Sequence, residues 1–225
     1  MIEARRRLMS VVIFGIAFGL LEAAIVIDLR AIYEPARKTL LPEAVPGDLF
    51  PLLTQPQLES RPDLMRLLRI ELLRELATIT MLASIAWTAA RRSGEWLAWF
   101  SIAFGVWDIF FYVFLKLLAG WPSSLFTWDL LFLLPAPWYG PVIAPMLVAI
   151  LLIGGGIAYL HFQLRIRLWH WASLVTANGL VLSAFLWDWR NLMSGGMPNP
   201  FPWPVFGVGL LLGAGTMIHA RRGPA

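Results

Sequence analysis

Acidic side chains inside long apolar runs are the residues of this sequence best suited to do chemistry. Glu22, Glu75 and Asp108 each lie in a separate run of mainly apolar residues. A charged side chain at the centre of a membrane span costs about 2.5–3.5 kcal/mol on insertion scales, so it marks a functional site by default. Carboxylates crowded in a medium of low dielectric constant must be protonated, paired with a cationic side chain or bound to a cation. Proton relay, cation binding and metal chemistry all use that condition.

The spacing of the acids groups further polar side chains with them. Glu71 and Glu75 are four residues apart, so they share one helix face. Asp108 and Tyr112 share a face in the same way. The candidate ligand- or cation-binding set is Glu22, Glu71, Arg74, Glu75, Asp108, Tyr112, Asp129, Asp188 and Arg190.

Each role follows from the chemistry of the side chain. Glu22, Glu75 and Asp108 are expected to bind or exchange the cation or proton. Arg74 would set their protonation or hold an anionic group, and Tyr112 would donate a hydrogen bond. No histidine is interleaved with the acids, and an all-oxygen site favours a hard cation such as Na⁺, Ca²⁺, Mg²⁺ or Mn²⁺. The pattern assigns no catalytic residue and no metal ligand.

The composition requires apolar surroundings for these acids. The chain has 225 residues, of which 59% are hydrophobic and 14% are charged, and its mean hydropathy is +0.70. Soluble domains are about 45–50% apolar and about 25% charged, so a soluble enzyme is excluded. The absence of Cys excludes disulfides, thiolate nucleophiles and cysteine zinc sites. The basic residues lie at the ends of apolar runs, which indicates membrane orientation and no nucleic-acid partner.

The apolar runs predict an all-α integral membrane protein, a bundle of six transmembrane helices in a single domain, 1–225. A span needs about 20 mainly apolar residues, and the predicted spans are 8–28, 70–90, 96–118, 142–160, 168–189 and 201–219. Six prolines favour a long outer loop over 29–66. The apolar stretch 125–139 is too short and too rich in proline to span, so we expect a re-entrant or interfacial segment.

The distribution of basic residues predicts the orientation. Helix ends on the cytoplasmic side carry an excess of Lys and Arg. The ends assigned to that side carry Arg5, Arg6, Arg7, Arg91, Arg92, Arg165, Arg167, Arg221 and Arg222. The long loop is the counter-evidence, since it mixes both charge signs. We therefore expect an inner-membrane protein with both termini in the cytoplasm and the acids in the outer half, Asp108 roughly 15 Å below the outer boundary.

Three functions fit these observations. The first is cation- or proton-linked transport or ligand binding at an outward-facing carboxylate site. The second is a non-catalytic subunit of a membrane complex, in which Arg74 pairs with Glu22 or Asp108 in a static polar network. The third is an intramembrane enzyme that acts on a lipid or isoprenoid substrate and uses a carboxyl group as general acid. The partners expected are the lipid bilayer, a small cation or small ligand, and in the second case another membrane subunit.

Overall fold

The computed structural model describes residues 2–43, 49–162, 164 and 166–222, and this part of the chain is mainly helical. Its helices of 18 residues or more are α1 Ile2–Leu40, α3 Pro62–Ala89, α4 Trp96–Ala119, α5 Ile143–Phe162, α6 Leu168–Phe185 and α8 Trp203–Arg222. Shorter helices are α2 Gln55–Glu59 and α7 Trp189–Met193, with a 3-10 turn at Ser93–Glu95. A two-stranded antiparallel hairpin is formed by β1 Trp128–Phe132 and β2 Trp138–Pro141.

Four of these helices are long and apolar enough to cross a membrane, judged by length and composition over the described residues. They are α1, α4, α5 and α8. The other two predicted spans also coincide with long helices, α3 and α6. Because α3 carries Glu71, Arg74 and Glu75 in its middle, its apolar character is diluted. Six crossings therefore stay a prediction, whereas a helical protein with membrane-span candidates is what the structure shows.

Helix α4 is the central helix, because it packs closely against α1 on one side and α5 on the other. A Cβ atom at Gly19 of α1 would lie 2.9 Å from the backbone nitrogen of Phe111. A Cβ atom at Gly105 of α4 would lie 2.6 Å from the carbonyl oxygen of Ala149. Glycine at both positions is what lets the backbones approach. Helix α4 is therefore in close backbone contact with both of its neighbours.

The long helices alternate in direction, so the bundle has two distinct ends. At one end, Arg7 Nη1 of α1 donates to the carbonyl oxygen of Ala89, the last residue of α3, at 2.6 Å. At the same end, His170 near the start of α6 lies 3.4 Å from His219 near the end of α8. The opposite end carries β1, β2, α2 and α7, and we call it the hairpin end. Both ends of the described chain therefore lie at the end away from the hairpin.

The predicted loop 29–66 is partly wrong, because much of it is helical. Helix α1 continues to Leu40 with Pro35 inside it. Glu34 lies 3.6 Å from Lys38 and 3.9 Å from Arg37, and pairs at this spacing favour the helix. Pro56 is the second residue of α2 and Pro62 the first of α3. In the first turn of a helix the backbone N–H has no partner within the helix, so proline costs no hydrogen bond there. Residues 44–48 lie outside the described part of the chain.

The predicted re-entrant or interfacial segment contains the β-hairpin instead of irregular backbone. Its strands satisfy one another's backbone groups, which a short proline-rich helix could not do. Trp128 and Trp138 pack against a cluster that includes Phe185 of α6 and Phe206 of α8. The hairpin therefore lies against the helices, while its depth in a membrane stays a prediction. The fifth predicted span, 168–189, is also too long, since α6 ends at Phe185.

Candidate functional site

Arg74 of α3 is the hub of an ion-pair network between α1 and α3. Its Nε and Nη2 donate to the two oxygens of Glu71 at 2.8 and 2.5 Å, and its Nη1 forms an ion pair with Glu22. Thr78 Oγ1 donates to the other Glu22 oxygen at 3.0 Å. The Glu22 side chain is 4% exposed and that of Arg74 is 19% exposed. Glu22 is therefore buried with both oxygens satisfied, as the static-network hypothesis expects.

Glu75, one turn from Glu71, is buried and bound to the hairpin. Its Oε1 accepts the backbone N–H of Leu133 at 2.8 Å, and its Oε2 accepts the N–H groups of Leu133 and Leu134 at 3.0 and 3.2 Å. These residues form the turn between β1 and β2. Glu75 therefore anchors the turn of the hairpin to the middle of α3.

Asp129 of β1, like Glu22, Glu71 and Glu75, has partners inside the protein. Its Oδ1 accepts from Arg30 Nη2 at 3.2 Å, and its Oδ2 accepts from the Tyr112 hydroxyl at 3.0 Å. The Arg30 guanidinium also lies 3.9 Å from the ring centroid of Trp121, a cation–π distance. This arrangement joins α1, α4 and the hairpin through one buried carboxylate.

Asp108 of α4 differs from the other acids. The residue is 8% exposed, and its buried Oδ2 has no hydrogen-bond partner among the described residues. The indole Nε1 atoms of Trp107 and Trp138 are also buried without a partner. All three residues line one cavity of about 80 Å³, the Asp108 cavity. A site for one water needs about 10–15 Å³ of such volume, so the cavity can hold several waters or a small polar group.

The lining of the Asp108 cavity is mixed in polarity. It consists of Glu22, Arg74, Thr78, Phe104, Trp107, Asp108, Phe111, Tyr112, Leu131, Phe132, Trp138, Pro145, Val148 and Phe185. The predicted residues Glu22, Arg74, Asp108 and Tyr112 are therefore brought together here. The unpartnered atoms comprise one acceptor, on Asp108, and two indole donors. A water or a protonated carboxyl group can use both kinds.

A larger pocket of about 420 Å³ lies beside this cavity, towards the hairpin end. Its lining is Val26, Leu29, Arg30, Tyr33, Arg37, Leu49, Pro51, Leu52, Leu53, Leu58, Leu68, Glu71, Leu72, Arg74, Glu75, Phe111, Asp129, Leu130, Leu131, Leu133, Pro137 and Met193. Three residues, Arg74, Phe111 and Leu131, line both spaces. The large pocket and the Asp108 cavity are thus separated by shared walls.

Asp188 and Arg190 line neither space. Asp188 accepts hydrogen bonds at 2.9 Å from Asn191 Nδ2 and from the backbone N–H and Nδ2 of Asn199. Burial favours the neutral acid, but these three bonds together hold the pKa of Asp188 below its ordinary value. Arg190 lies over the ring of Trp189, with 5.6 Å between Cζ and the centroid. Asp188 thus fixes the loop after α6, apart from the other predicted residues.

Several polar partners in the site were missed by the sequence reasoning. Trp107 carried a weak signal, as an indole next to the candidate acid Asp108, whereas Arg30 and Trp138 adjoin no candidate acid in the sequence. Arg37 belonged to the predicted outer loop, where no site was expected. The backbone N–H groups of Leu133 and Leu134 that bind Glu75 have no signal in the sequence, because every residue except proline carries such a group.

Two further findings bear on the class of protein. Within the part of the chain that the structure describes, no group of three or more His, Cys, Asp or Glu residues is placed to hold a metal ion. Comparison with known protein families, with curated proteins and with solved structures gave no match. The fold and the site together define a helical protein with membrane-span candidates and two adjoining pockets, each lined mainly by apolar residues with a few charged side chains.

Proposed function

We propose that this chain is a multi-pass membrane protein that exchanges a proton at Asp108 while it binds or transports a ligand. One observation carries the proposal: within the part of the chain that the structure describes, the buried Oδ2 of Asp108 has no partner, and Asp108 lines a cavity. An ionised carboxylate in such a place is costly to bury unless its oxygens are hydrogen-bonded. A proton on the carboxyl group, or water in the cavity, removes that cost.

The other acids support this assignment because their oxygens already have partners. Glu22 is held by Arg74 and Thr78, and Glu75 is held by backbone N–H groups of the hairpin. Proton exchange at either acid would break contacts that join separate elements of the fold. Asp108 can exchange a proton without that loss.

A proton is favoured over a hard cation by the same contacts. A cation shared by Glu22, Glu75 and Asp108 would require the first two acids to leave their partners. Hard cations such as Ca²⁺ take six to eight oxygen ligands, whereas a proton needs only the carboxyl group. The donors next to Asp108, the indole N–H groups of Trp107 and Trp138, favour an acceptor and not a metal ion.

The predicted orientation would open this system away from the cytoplasm. The hairpin end lies opposite the Arg-rich helix ends, which the distribution of basic residues assigns to the cytoplasm. We propose that the six long helices all cross the inner membrane and that the ligand approaches from the hairpin end.

An intramembrane enzyme acting on a lipid is the second candidate. The large pocket is mainly apolar and meets the Asp108 cavity at Arg74, Phe111 and Leu131. A lipid in the large pocket would be separated by these three side chains from the carboxyl group of Asp108, which could act as general acid. Conversion of an added lipid by the purified protein, lost in Asp108→Asn, would favour the enzyme.

The experiment compares wild type with Asp108→Asn by infrared difference spectroscopy between pH 5 and pH 9. The protein is the full chain in detergent. We expect a carboxyl C=O band that titrates in wild type and is absent from Asp108→Asn. The matched control is Asp63→Asn, because the Asp63 side chain is 57% exposed and pairs with Arg61 at the surface. An unchanged difference spectrum in Asp108→Asn would overturn the proposal.

A second measurement separates a proton from a cation. Thermal unfolding is followed at fixed pH in choline chloride and in Na⁺, Mg²⁺, Ca²⁺ and Mn²⁺ salts at equal ionic strength. A cation bound to the folded state raises the melting temperature by mass action. We expect no specific rise. A rise with one cation that disappears in both Glu75→Gln and Asp108→Asn would assign the site to that cation and contradict the proton assignment.

A further inference from the structure

We infer that the large pocket binds a single-chain amphiphile with an anionic head group, and that Arg37 holds the head. This goes beyond the proton site, since it concerns a different space and a different residue. The volume of about 420 Å³ lies within the usual range of about 300–1,000 Å³ for small-molecule pockets. Such pockets are mainly apolar with a few placed polar groups, and this pocket has that composition.

The apolar wall suits a flexible chain. Apart from Phe111 and Tyr33 it is built from aliphatic side chains, prolines and Met193, and nine of its leucines come from α3, the hairpin and the segment 49–58. On α1, the lining residues run from Val26 to Arg37, eleven residues apart and therefore roughly 16 Å along the helix axis. An aliphatic wall of this length fits an extended hydrocarbon chain better than a flat ring.

The charged groups of the pocket leave one cation incompletely paired. Glu75 is satisfied by backbone N–H groups, Asp129 by Arg30 and Tyr112, and Glu71 by Arg74, as described above. Among the residues that the structure describes, the contacts of Arg37 are the carbonyl oxygen of Phe50, 3.1 Å from Nη2, and Glu34, 3.9 Å from Nη1.

The Nε atom of Arg37 indicates that the ligand carries a negative charge. It is buried without a hydrogen-bond partner, and among the described lining residues it is the only such side-chain atom. A buried charged donor without an acceptor is expensive. The group missing from the pocket is therefore an acceptor, and a carboxylate or phosphate oxygen is the acceptor that a guanidinium binds most strongly.

The binding test uses the full chain in nanodiscs of zwitterionic phosphatidylcholine. The probes are dodecanoate, dodecyl phosphate, dodecanol and inorganic phosphate, and empty nanodiscs correct for partition into lipid. The readout is the melting temperature against probe concentration, from which an apparent Kd follows. We expect the two anionic amphiphiles to raise the melting temperature, dodecanol to bind at least tenfold more weakly, and inorganic phosphate to have no effect.

Two pairs of variants test the residues. Arg37→Gln should weaken binding of dodecyl phosphate about tenfold or more, whereas Lys38→Gln, the exposed neighbouring cation, should leave it unchanged. Leu72→Trp should block binding by filling the pocket, whereas Leu73→Trp should not, since Leu73 is 67% exposed. If Arg37→Gln does not fold, Arg37→Lys and the leucine pair still decide the question.

The inference fails if neither anionic amphiphile stabilises the protein, or if Arg37→Gln and Leu72→Trp bind like wild type. Stabilisation by inorganic phosphate alone would assign a free-anion site and overturn the chain-binding part. If dodecanol bound with the same apparent Kd as the two anionic amphiphiles, the proposed role of Arg37 would be overturned. The infrared titration follows Asp108, whereas the amphiphile assay follows Arg37 and Leu72, so a failure of the proton proposal is distinguishable from a failure of this one.

Discussion

The Glu75 carboxylate on α3 accepts the backbone N–H of Leu133, 58 residues further along the chain, at 2.8 Å. The contact ties the middle of a helix to the turn of the hairpin, and the hairpin supplies Leu131, Phe132 and Trp138 to the wall of the Asp108 cavity. Glu75 therefore determines where that wall lies. An acid that the sequence presents as a ligand for a cation acts in the structure as the acceptor for a turn.

Replacement of Glu75 by alanine should release this turn. The N–H of Leu133 would lose a charged acceptor, a contact worth about 1.5–3 kcal/mol in proteins, so we expect a loss of about 2–3 kcal/mol in the free energy of unfolding. Hydrogen exchange at Leu133 and Leu134 should become much faster. The measurement is exchange by mass spectrometry together with thermal unfolding.

Glu59→Ala is the control for this prediction, because Glu59 is exposed and its contact with Gln55 is at the surface. It should change the free energy of unfolding by less than about 0.5 kcal/mol. Unaltered exchange at Leu133 in Glu75→Ala would show that the turn does not depend on this carboxylate.

Two neighbouring glycines of α5 should respond in opposite ways to alanine. A Cβ atom at Gly156 would lie 2.6 Å from the carbonyl oxygen of Ala98 and 2.8 Å from Ile102 Cγ1, while a Cβ atom at Gly154 would meet nothing within 4 Å. Gly156→Ala should therefore push α5 from α4 and cost about 1–3 kcal/mol.

Gly154→Ala is the matched variant, since it adds the same methyl group to the same helix. It should be neutral or stabilise by up to about 1 kcal/mol, because alanine favours helix over glycine. Thermal unfolding in one detergent compares the two. Equal losses in both variants would mean that the α4–α5 contact does not have this geometry.

Lowering the pH should destabilise the loop over residues 191–199, which Asp188 holds in place. Since the folded-state pKa of Asp188 is lowered, its contribution to stability is present above the unfolded pKa of about 3.9 and is lost as the pH falls through the lower folded value. Between about pH 5 and pH 3, hydrogen exchange over residues 191–199 should therefore accelerate in wild type beyond the intrinsic effect of pH.

Asp188→Asn tests the source of that dependence, since asparagine does not titrate. It should show faster exchange over 191–199 at pH 6 and no further acceleration on acidification. Asn199→Ala removes one of the three donors and should give an intermediate result. An acid response in Asp188→Asn equal to that of wild type would assign the effect to another group.

Sequence reasoning located the helices but misjudged two connections. The helices could be predicted because length and apolar content are properties of a local stretch of chain. The continuation of α1 past Pro35 was missed because proline was weighed without the ion pairs of Glu34 and without packing against distant residues. The hairpin was missed because a short apolar run with proline has no distinctive period.

The sequence by itself determined that this protein is rich in apolar helices and that Glu22, Glu75 and Asp108 lie within them. Hydropathy and helical spacing depend only on residues that are close together in the sequence. Only the tertiary structure decided which of the three is left without a partner. The reason is physical: the partners come from far along the chain. Arg30 reaches Asp129 over 99 residues, and Glu75 is satisfied by backbone amides whose positions depend on the fold.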